Sequence, residues 1–466
     1  MSENFDVVVI GAGPAGYVAA IRAAQLKQKV AIVDKQWLGG VCLNIGCIPS
    51  KSLLRNAEIA HTLRERGKEF GFSMDNLKLD YGVAVKRSRQ NSDRLVKGIG
   101  FLMKKNNIPV FMGDAKFKSK DTVAVTDKDG KVTELKAKNI IVATGASAAA
   151  PAAWKIDGEK VVTYWEAILQ DKLPKSVVVI GSGAIGVEFS TIWNSYGVEV
   201  TIVEMLPRVV PLEDEEVSKE LEKEFKKRGI KTMLGHKVES VEATKTGVKV
   251  VVSADGKQTT LEADQALVAI GFRPNSKGLG LEEAGVKISE RGFVEIDEKM
   301  QTNIPGIWAI GDVTGKLMLA HVGSAMGIIC AENIAGAETV TLDYEMMPRA
   351  TYCQPQVASF GITEAQAKER GYTVKIGRFP FQPNGKALGM GDYAGFVKLV
   401  IDEKYGEILG AHMIGPEVTE LLPELTLAHM MELTPHEIAR NVHAHPTLSE
   451  AIMEAAHAAE GSAIHI

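Results

Sequence analysis

Two cysteines with four residues between them stand in Gly39-Gly40-Val41-Cys42-Leu43-Asn44-Ile45-Gly46-Cys47-Ile48-Pro49-Ser50-Lys51. Thiols at this range can form a disulfide that opens and closes in each turnover and moves two electrons. Positions five apart on an undistorted helix rise about 7.5 Å. That exceeds the Cα separation of about 4.4–6.8 Å that a disulfide tolerates, so the pair cannot close on a regular helix. Gly46 and Pro49 supply a bend that lets it close. A strained, reachable disulfide is more oxidising and exchanges faster than a structural one. The spacing suits two buried free thiols beside a turn equally well, so the cysteines alone leave both readings open. Cys330 and Cys353 stand apart and read as structural.

The surroundings narrow the choice. Phe5–Ile10 reads as a strand and runs into Gly11-Ala12-Gly13-Pro14-Ala15-Gly16, a helical stretch, and a second strand ending at Asp34. A matching unit lies 170 residues on, where Ser176–Ile180 precedes Gly181-Ser182-Gly183-Ala184-Ile185-Gly186 and a strand ending at Glu204. The first glycine to the acid is 23 residues in both. In a dinucleotide-binding βαβ unit the first glycine makes the tight turn, the second lets backbone approach a pyrophosphate, and the third lets helix pack on strand. The helix N-terminus then holds the phosphates. Two complete units predict two bound dinucleotides. Asp34 and Glu204 can accept ribose hydroxyls but repel a 2′-phosphate, and neither Met205 nor Leu206 offers a compensating cation. NAD is therefore expected at the second unit, and a permanently bound flavin, FAD, at the first, next to the cysteines.

Composition bounds the rest. The chain of 466 residues suits about three domains. Its 54 basic and 58 acidic residues nearly balance, which argues against nucleic acid as a main partner. Four cysteines make no disulfide scaffold, as expected of a reducing compartment. Met1–Asn4 leave no room for a charged leader, and no apolar run reaches the roughly 18 residues a spanning helix needs. A cytoplasmic protein with no membrane insertion is expected; a matrix protein stripped of its transit peptide would look the same.

Short apolar strands ending in glycine recur at Ile140–Gly145, Ala266–Gly271 and Ile307–Gly311, while Ala146–Pro151 reads as a crossing between domains. Phe396–Ile401 alternates as an antiparallel strand does, and from Glu417 the chain turns helical and alanine-rich. The expected fold is α/β: two Rossmann-like dinucleotide-binding domains plus a C-terminal α+β domain. The segments are 1–148 for FAD and the cysteines, 149–276 for NAD, 277–346 completing the FAD domain, and 347–466 as the interface domain.

The glycine units, GGVCLNIGCIPSK at 39–51, GAIGVE at 183–188, the Gly311-Asp312 pair and His443-Ala444-His445-Pro446-Thr447-Leu448-Ser449-Glu450 together resemble the flavin-dependent pyridine-nucleotide disulfide oxidoreductases. The likeness covers nearly the whole chain, and the cysteine and HPTLSE stretches are its most specific parts. It is strongest with members that oxidise dihydrolipoamide. The resemblance implies that Cys47 is the flavin-side, charge-transfer thiol and Cys42 the one that exchanges with substrate. Lys51 would sit near flavin N5, paired with Glu188. Asp312 would bind the ribityl chain, with Met318, Leu319, Ala320 and His321 along the ring and Ala115, Thr144 and Gly145 among the flavin contacts. Val238 and Gly271 would line the NAD pocket. His445, seconded by Glu450, would be the general base, since an imidazole of ordinary pKa, about 6.5, takes and returns a proton near neutrality. Pro446 suits the start of a helix and would turn Glu450 back toward His445. From spacing alone, an N-cap histidine with an exposed glutamate is as good a reading. A metal site from His436, His443 and His445 lacks a completing ligand, so no metal is expected.

In the family this histidine reaches the disulfide of the other subunit, which implies an obligate homodimer. The apolar run Leu421–Met431 suits an interface or ordinary core. The lipoyl group would come from a lipoyl-bearing acyltransferase or carrier protein of a 2-oxo acid dehydrogenase or glycine cleavage complex, since no lipoyl segment precedes Met1. After His321 the chain has Val322-Gly323-Ser324-Ala325-Met326-Gly327 where the family commonly has a charged stretch. Glutathione- or mercuric-reductase-like activity is disfavoured, by Glu204 in the first case and by the absence of a C-terminal cysteine pair in the second. A nucleotide-binding redox-sensing subunit would keep the cofactor units but lose His445 and Glu450.

Overall fold

Val7-Val8-Val9-Ile10 is apolar at every position, as a strand covered on both faces must be. In the computed structural model, which describes residues 2–466, it forms part of the strand Ser2–Ile10, flanked in parallel by Val30–Asp34 and Val132–Val142. The chain divides into two units. The first comprises residues up to Ser52, Gly82–Ala149 and Gly271–Tyr344; the second comprises Leu53–Tyr81, Ala150–Ile270 and Glu345–Ile466.

In the first unit, Val110–Met112 and Ile307–Ala309 extend the parallel sheet, and Thr122–Thr126 with Asp114–Ser119 join it antiparallel. The helix Pro14–Gln25 packs on Ala320–Ala335. Gly327 lies so close to it that a Cβ there would stand 2.6 Å from the Ala15 carbonyl. The stretch that departs from the family's charged pattern thus serves a tight helix crossing. The Ala/Pro-rich stretch is the crossing expected, since the chain passes from the first unit to the second between Ala149 and Ala150; Ala146–Ala148 of it also pairs antiparallel with Phe272–Pro274.

In the second unit a parallel sheet orders Lys231–Met233, Glu199–Val203, Ser176–Ile180, Gln265–Val268 and Val161–Val162, beside an antiparallel three-stranded sheet from Lys237 to Ala263. A separate antiparallel sheet holds Arg349–Thr351, Gln356–Gly361, Ile408–Gly415, Phe396–Asp402 and Val374–Pro380. The helix Glu450–Ala459 packs on this sheet, joining Phe379, Leu399 and Met413 in one core with Ile452 and Ala455. The helix Leu422–Met430 buries Leu422, Leu425 and Ala428, while Leu427 and Met430 are exposed. The apolar run is therefore core on one side and open on the other. No helix among the described residues is long and apolar enough to cross a membrane.

Candidate active site

The helix Gly40–Ile45 carries Cys42 and ends at Gly46; Cys47 opens the next helix, Cys47–Glu65. The break between the two helices brings the cysteines together. Pro49 does not bend the chain: it sits in the first turn of the second helix, where its missing N–H costs nothing. The Cys42 thiol is hydrogen-bonded to Cys47. That hydrogen bond, partial burial and the neighbouring Cys47 charge raise the Cys42 pKa, although Lys51 pulls the other way. Cys47 stands at the N-terminus of its helix, where free N–H groups and the helix dipole favour a thiolate.

Asn44, between the two cysteines, donates its side-chain amide to the Leu38 and Gly40 carbonyls at 3.0 and 2.8 Å, and its backbone carbonyl accepts from Arg89. Sequence reasoning missed it. A polar residue inside the apolar run Val41–Ile45 was the available signal.

This redox segment lies directly on the first glycine turn. Gly39 donates its N–H to the Ala12 carbonyl at 2.8 Å, and a Cβ on Gly40 would fall 2.6 Å from the Gly13 Cα. The glycines of the turn divide by what they meet. A Cβ on Gly11 would stand 2.2 Å from the Ala143 carbonyl oxygen and one on Gly16 1.8 Å from that of Gly11, so the fold itself requires both. In the second unit a Cβ on Gly181 would stand 2.4 Å from the Ala269 oxygen, and one on Gly186 1.9 Å from that of Gly181.

The middle glycines differ. Gly13 would meet nothing nearer than 4.0 Å and Gly183 nothing within 4 Å, and both have ordinary negative φ values of −69° and −68°. Both are N-cap residues with space around them, and a ligand pressed on the turn would account for glycine there, which fits the pyrophosphates of FAD and NAD. Gly13→Ala is expected to give a folded protein without flavin, whereas Gly16→Ala prevents folding; flavin absorbance and circular dichroism check both. Gly183→Ala should keep the flavin and weaken NADH binding at least about tenfold.

Both distal acids tie back to their turns. Asp34 accepts the Ala12 N–H at 2.7 Å, and Glu204 accepts the Ser182 N–H and hydroxyl, each at 2.8 Å. Thr144 and Gly145 are fixed by Asn275, another residue the sequence did not flag: its N–H bonds the Gly145 carbonyl at 3.0 Å and its carbonyl accepts the Thr144 hydroxyl at 2.7 Å. Met318 and Leu319 lead into the helix that starts at Ala320 and His321, and Ala115 stands opposite Val125. Gly271, in left-handed backbone at φ +116°, follows the strand Gln265–Val268. Val238 is half-buried at a register shift in its strand.

Asp312 is largely enclosed, and burial alone pushes its carboxyl up to about 6. A ribityl hydroxyl would satisfy this group. Because its folded value lies above the unfolded one, the apoprotein should lose stability as pH rises from about 4 through about 6. Flavin-loaded protein should show a weaker trend, as the pH dependence of the two melting temperatures would reveal.

In the second unit, Glu188 is buried and accepts the Tyr352 N–H at 2.9 Å. His445 Nδ1 is 2.9 Å from Glu450 Oε1, and Glu450 Oε2 accepts the Thr447 N–H at 2.8 Å. The helix begins at Glu450, not at Pro446: residues 446–449 form turns in which the Thr447 hydroxyl bonds the Ala444 carbonyl at 2.7 Å. Glu450 still faces His445, by way of that turn. Burial alone would raise the Glu450 carboxyl, but the Thr447 amide and the His445 ring outweigh it and hold it below the usual carboxylate range. With a carboxylate on Nδ1, that nitrogen carries the proton and Nε2 keeps its lone pair. The ring is 76 % exposed, open to whatever docks there. His443 is engaged by Glu424 at 2.8 Å, and no metal-binding cluster forms among the described residues.

A dithiol on one dinucleotide turn, a second such turn and an exposed histidine–carboxylate pair define a flavoprotein disulfide reductase. Residues 5–327 match the pyridine nucleotide-disulphide oxidoreductase family and residues 347–456 its dimerisation domain. The chain belongs to this family, uses FAD and NAD, and is a homodimer. It is 54 % identical to a dihydrolipoyl dehydrogenase of Mycobacterium leprae over 99 % of each chain. It is 50 % identical to one of Corynebacterium glutamicum over the full length of both. Among solved structures, LpdA from Mycobacterium tuberculosis superposes with a TM-score of 0.90 at 29 % identity, covering 97 % of this chain and 99 % of the other. The HOCl-induced flavoprotein disulfide reductase RclA from Escherichia coli does so at 0.85 and 26 %, covering 96 % and 98 %.

Proposed function

We propose that the chain oxidises protein-bound dihydrolipoamide to lipoamide and reduces NAD⁺ to NADH, a dihydrolipoyl dehydrogenase activity. The observation that carries this reading is the Cys42/Cys47 pair seated on the first glycine turn, in a chain whose full-length relatives bear that name.

With Cys42 and Cys47 oxidised, His445 Nε2 takes a proton from one substrate thiol. The thiolate attacks the Cys42 sulfur, and Cys47 leaves as thiolate. The second substrate thiol attacks the substrate sulfur of the mixed disulfide, and its proton passes to the Cys42 sulfur as that sulfur leaves. Lipoamide departs, and two electrons remain on the cysteine pair. Bound FAD supplies the two-electron acceptor for this dithiol and the hydride donor for NAD⁺. Lys51, one helical turn after Cys47, places a cation beside the thiolate. Glu450 holds the His445 ring and stabilises the imidazolium that forms when it takes the proton. Asp34 and Glu204 orient the riboses.

The division into flavin, nucleotide and interface segments, the supply of the lipoyl group by an acyltransferase or carrier protein, and work in the cytoplasm belong to the same proposal. Anaerobic addition of dihydrolipoamide to the yellow protein should produce a long-wavelength absorbance band, and NAD⁺ should then yield NADH. Turnover only with glutathione and NADPH would overturn the reading.

A further inference from the structure

Lys398 lies in the strand Phe396–Asp402, every residue of which is buried. Its side chain is 2 % exposed, yet its ammonium meets three carboxylates: Asp214 at 3.2 Å, Glu216 at 2.6 Å and Glu364 at 2.8 Å. Arg378, its cross-strand neighbour, also reaches Glu216, at 3.1 Å. Burying a lysine among carboxylates is a poor way to gain stability, because desolvation consumes most of the attraction. The arrangement calls for another role, and Asp214 points to one.

Asp214 caps the helix Glu215–Lys227, accepting the Glu216 N–H at 3.0 Å, and ends the loop that begins after Glu204. Midway in that loop Val210 holds φ +39°, a conformation strained for a β-branched residue. Its N–H bonds the Ser182 carbonyl at 3.1 Å, and its carbonyl accepts the Glu213 N–H at 2.9 Å. Ser182 is the residue between Gly181 and Gly183, and its N–H and hydroxyl hold Glu204. An unbroken run of contacts thus leads from Lys398 through Asp214, Glu213 and Val210 to the turn and acid expected to hold NAD.

We propose that Lys398 is a positioning residue for the NAD site: by gripping Asp214 and Glu216 it keeps the 205–213 loop in its strained form against Ser182. The inference rests on the reading that this unit binds NAD. Strain held by a clamp relaxes when the clamp is removed, unless the strained residue is replaced by one that tolerates the same backbone. Glycine does so at positive φ.

The test uses the full-length, flavin-loaded protein and direct titration with NADH in the absence of any dithiol. Lys398→Met should weaken NADH binding about tenfold and leave the KM for dihydrolipoamide unchanged. Adding Val210→Gly should restore binding to within about twofold of wild type, a rescue that lost stability alone would not give. Wild-type affinity in Lys398→Met, or failure of the rescue, overturns the proposal. If Lys398→Met does not fold, Glu216→Gln, at a partly exposed partner, should weaken NADH binding in the same direction, and unchanged binding there overturns it as well. A wild-type protein that binds NADH but does not oxidise dihydrolipoamide would sink the functional reading and leave this inference standing.

Discussion

Cys47→Ser is expected to lower dihydrolipoamide oxidation roughly a thousandfold or more, since residues that act as one unit fail together when either is lost. The flavin should stay bound, because the turn that holds it rests on Gly11, Gly13, Gly16 and Gly40 rather than on sulfur. The informative control is electron transfer from NADH to an artificial dye, which uses the flavin and the second unit without the thiols. It should persist. Loss of dye reduction in parallel with dithiol oxidation would mean that the substitution had damaged the flavin site. Cys42→Ser should be equally inactive with dihydrolipoamide, but only Cys47→Ser should abolish the long-wavelength band. If Cys42→Ser were the variant to lose it, the assigned polarity of the pair would be reversed.

His445→Gln should reduce kcat/KM for dihydrolipoamide by about 10²–10⁴, the usual range for a lost general base, and spare dye reduction. Glu450→Gln should cost less, because the imidazole remains and only its orienting charge is gone. The sign of the pH effect follows from the depressed Glu450 carboxyl. Its contribution to folding is complete above its unfolded pKa and is lost as pH falls through the lower, folded value. At neutral pH the His445–Glu450 contact is therefore intact, and acid should weaken it. Full dithiol activity in His445→Gln would remove the proposed base.

Much of this is legible in the sequence. The paired glycine turns, the terminal acids and the strands that flank them carry the spacing of a dinucleotide unit, and they fold as strand, turn, helix and strand. The antiparallel Phe396–Asp402 and the helical tail were also evident. The prolines were harder. Pro49 and Pro446 both read as shapers of the chain, but the break near the cysteines belongs to Gly46 and the second helix starts at Glu450. A proline marks where a helix may begin without saying whether it begins there.

Lys398 was invisible for a different reason. In Phe396-Val397-Lys398-Leu399 a lysine among apolar neighbours reads as the solvent face of a strand. Two of the three carboxylates that enclose it, Asp214 and Glu216, come from nearly two hundred residues upstream in the chain. Asn44 is marked only by being polar in an apolar run, because the backbone carbonyls that its side chain binds leave no mark in composition.

The contact between Gly40 and Gly13 has a consequence for how such a protein can change. The redox segment and the phosphate turn share one van der Waals surface with no room for even a methyl group on Gly40. Neither can be transplanted alone: a cysteine segment grafted from a relative with any side chain at that point would push the turn off its ligand. Electron carrier and electron source must be exchanged as one block, or drift together by paired substitutions.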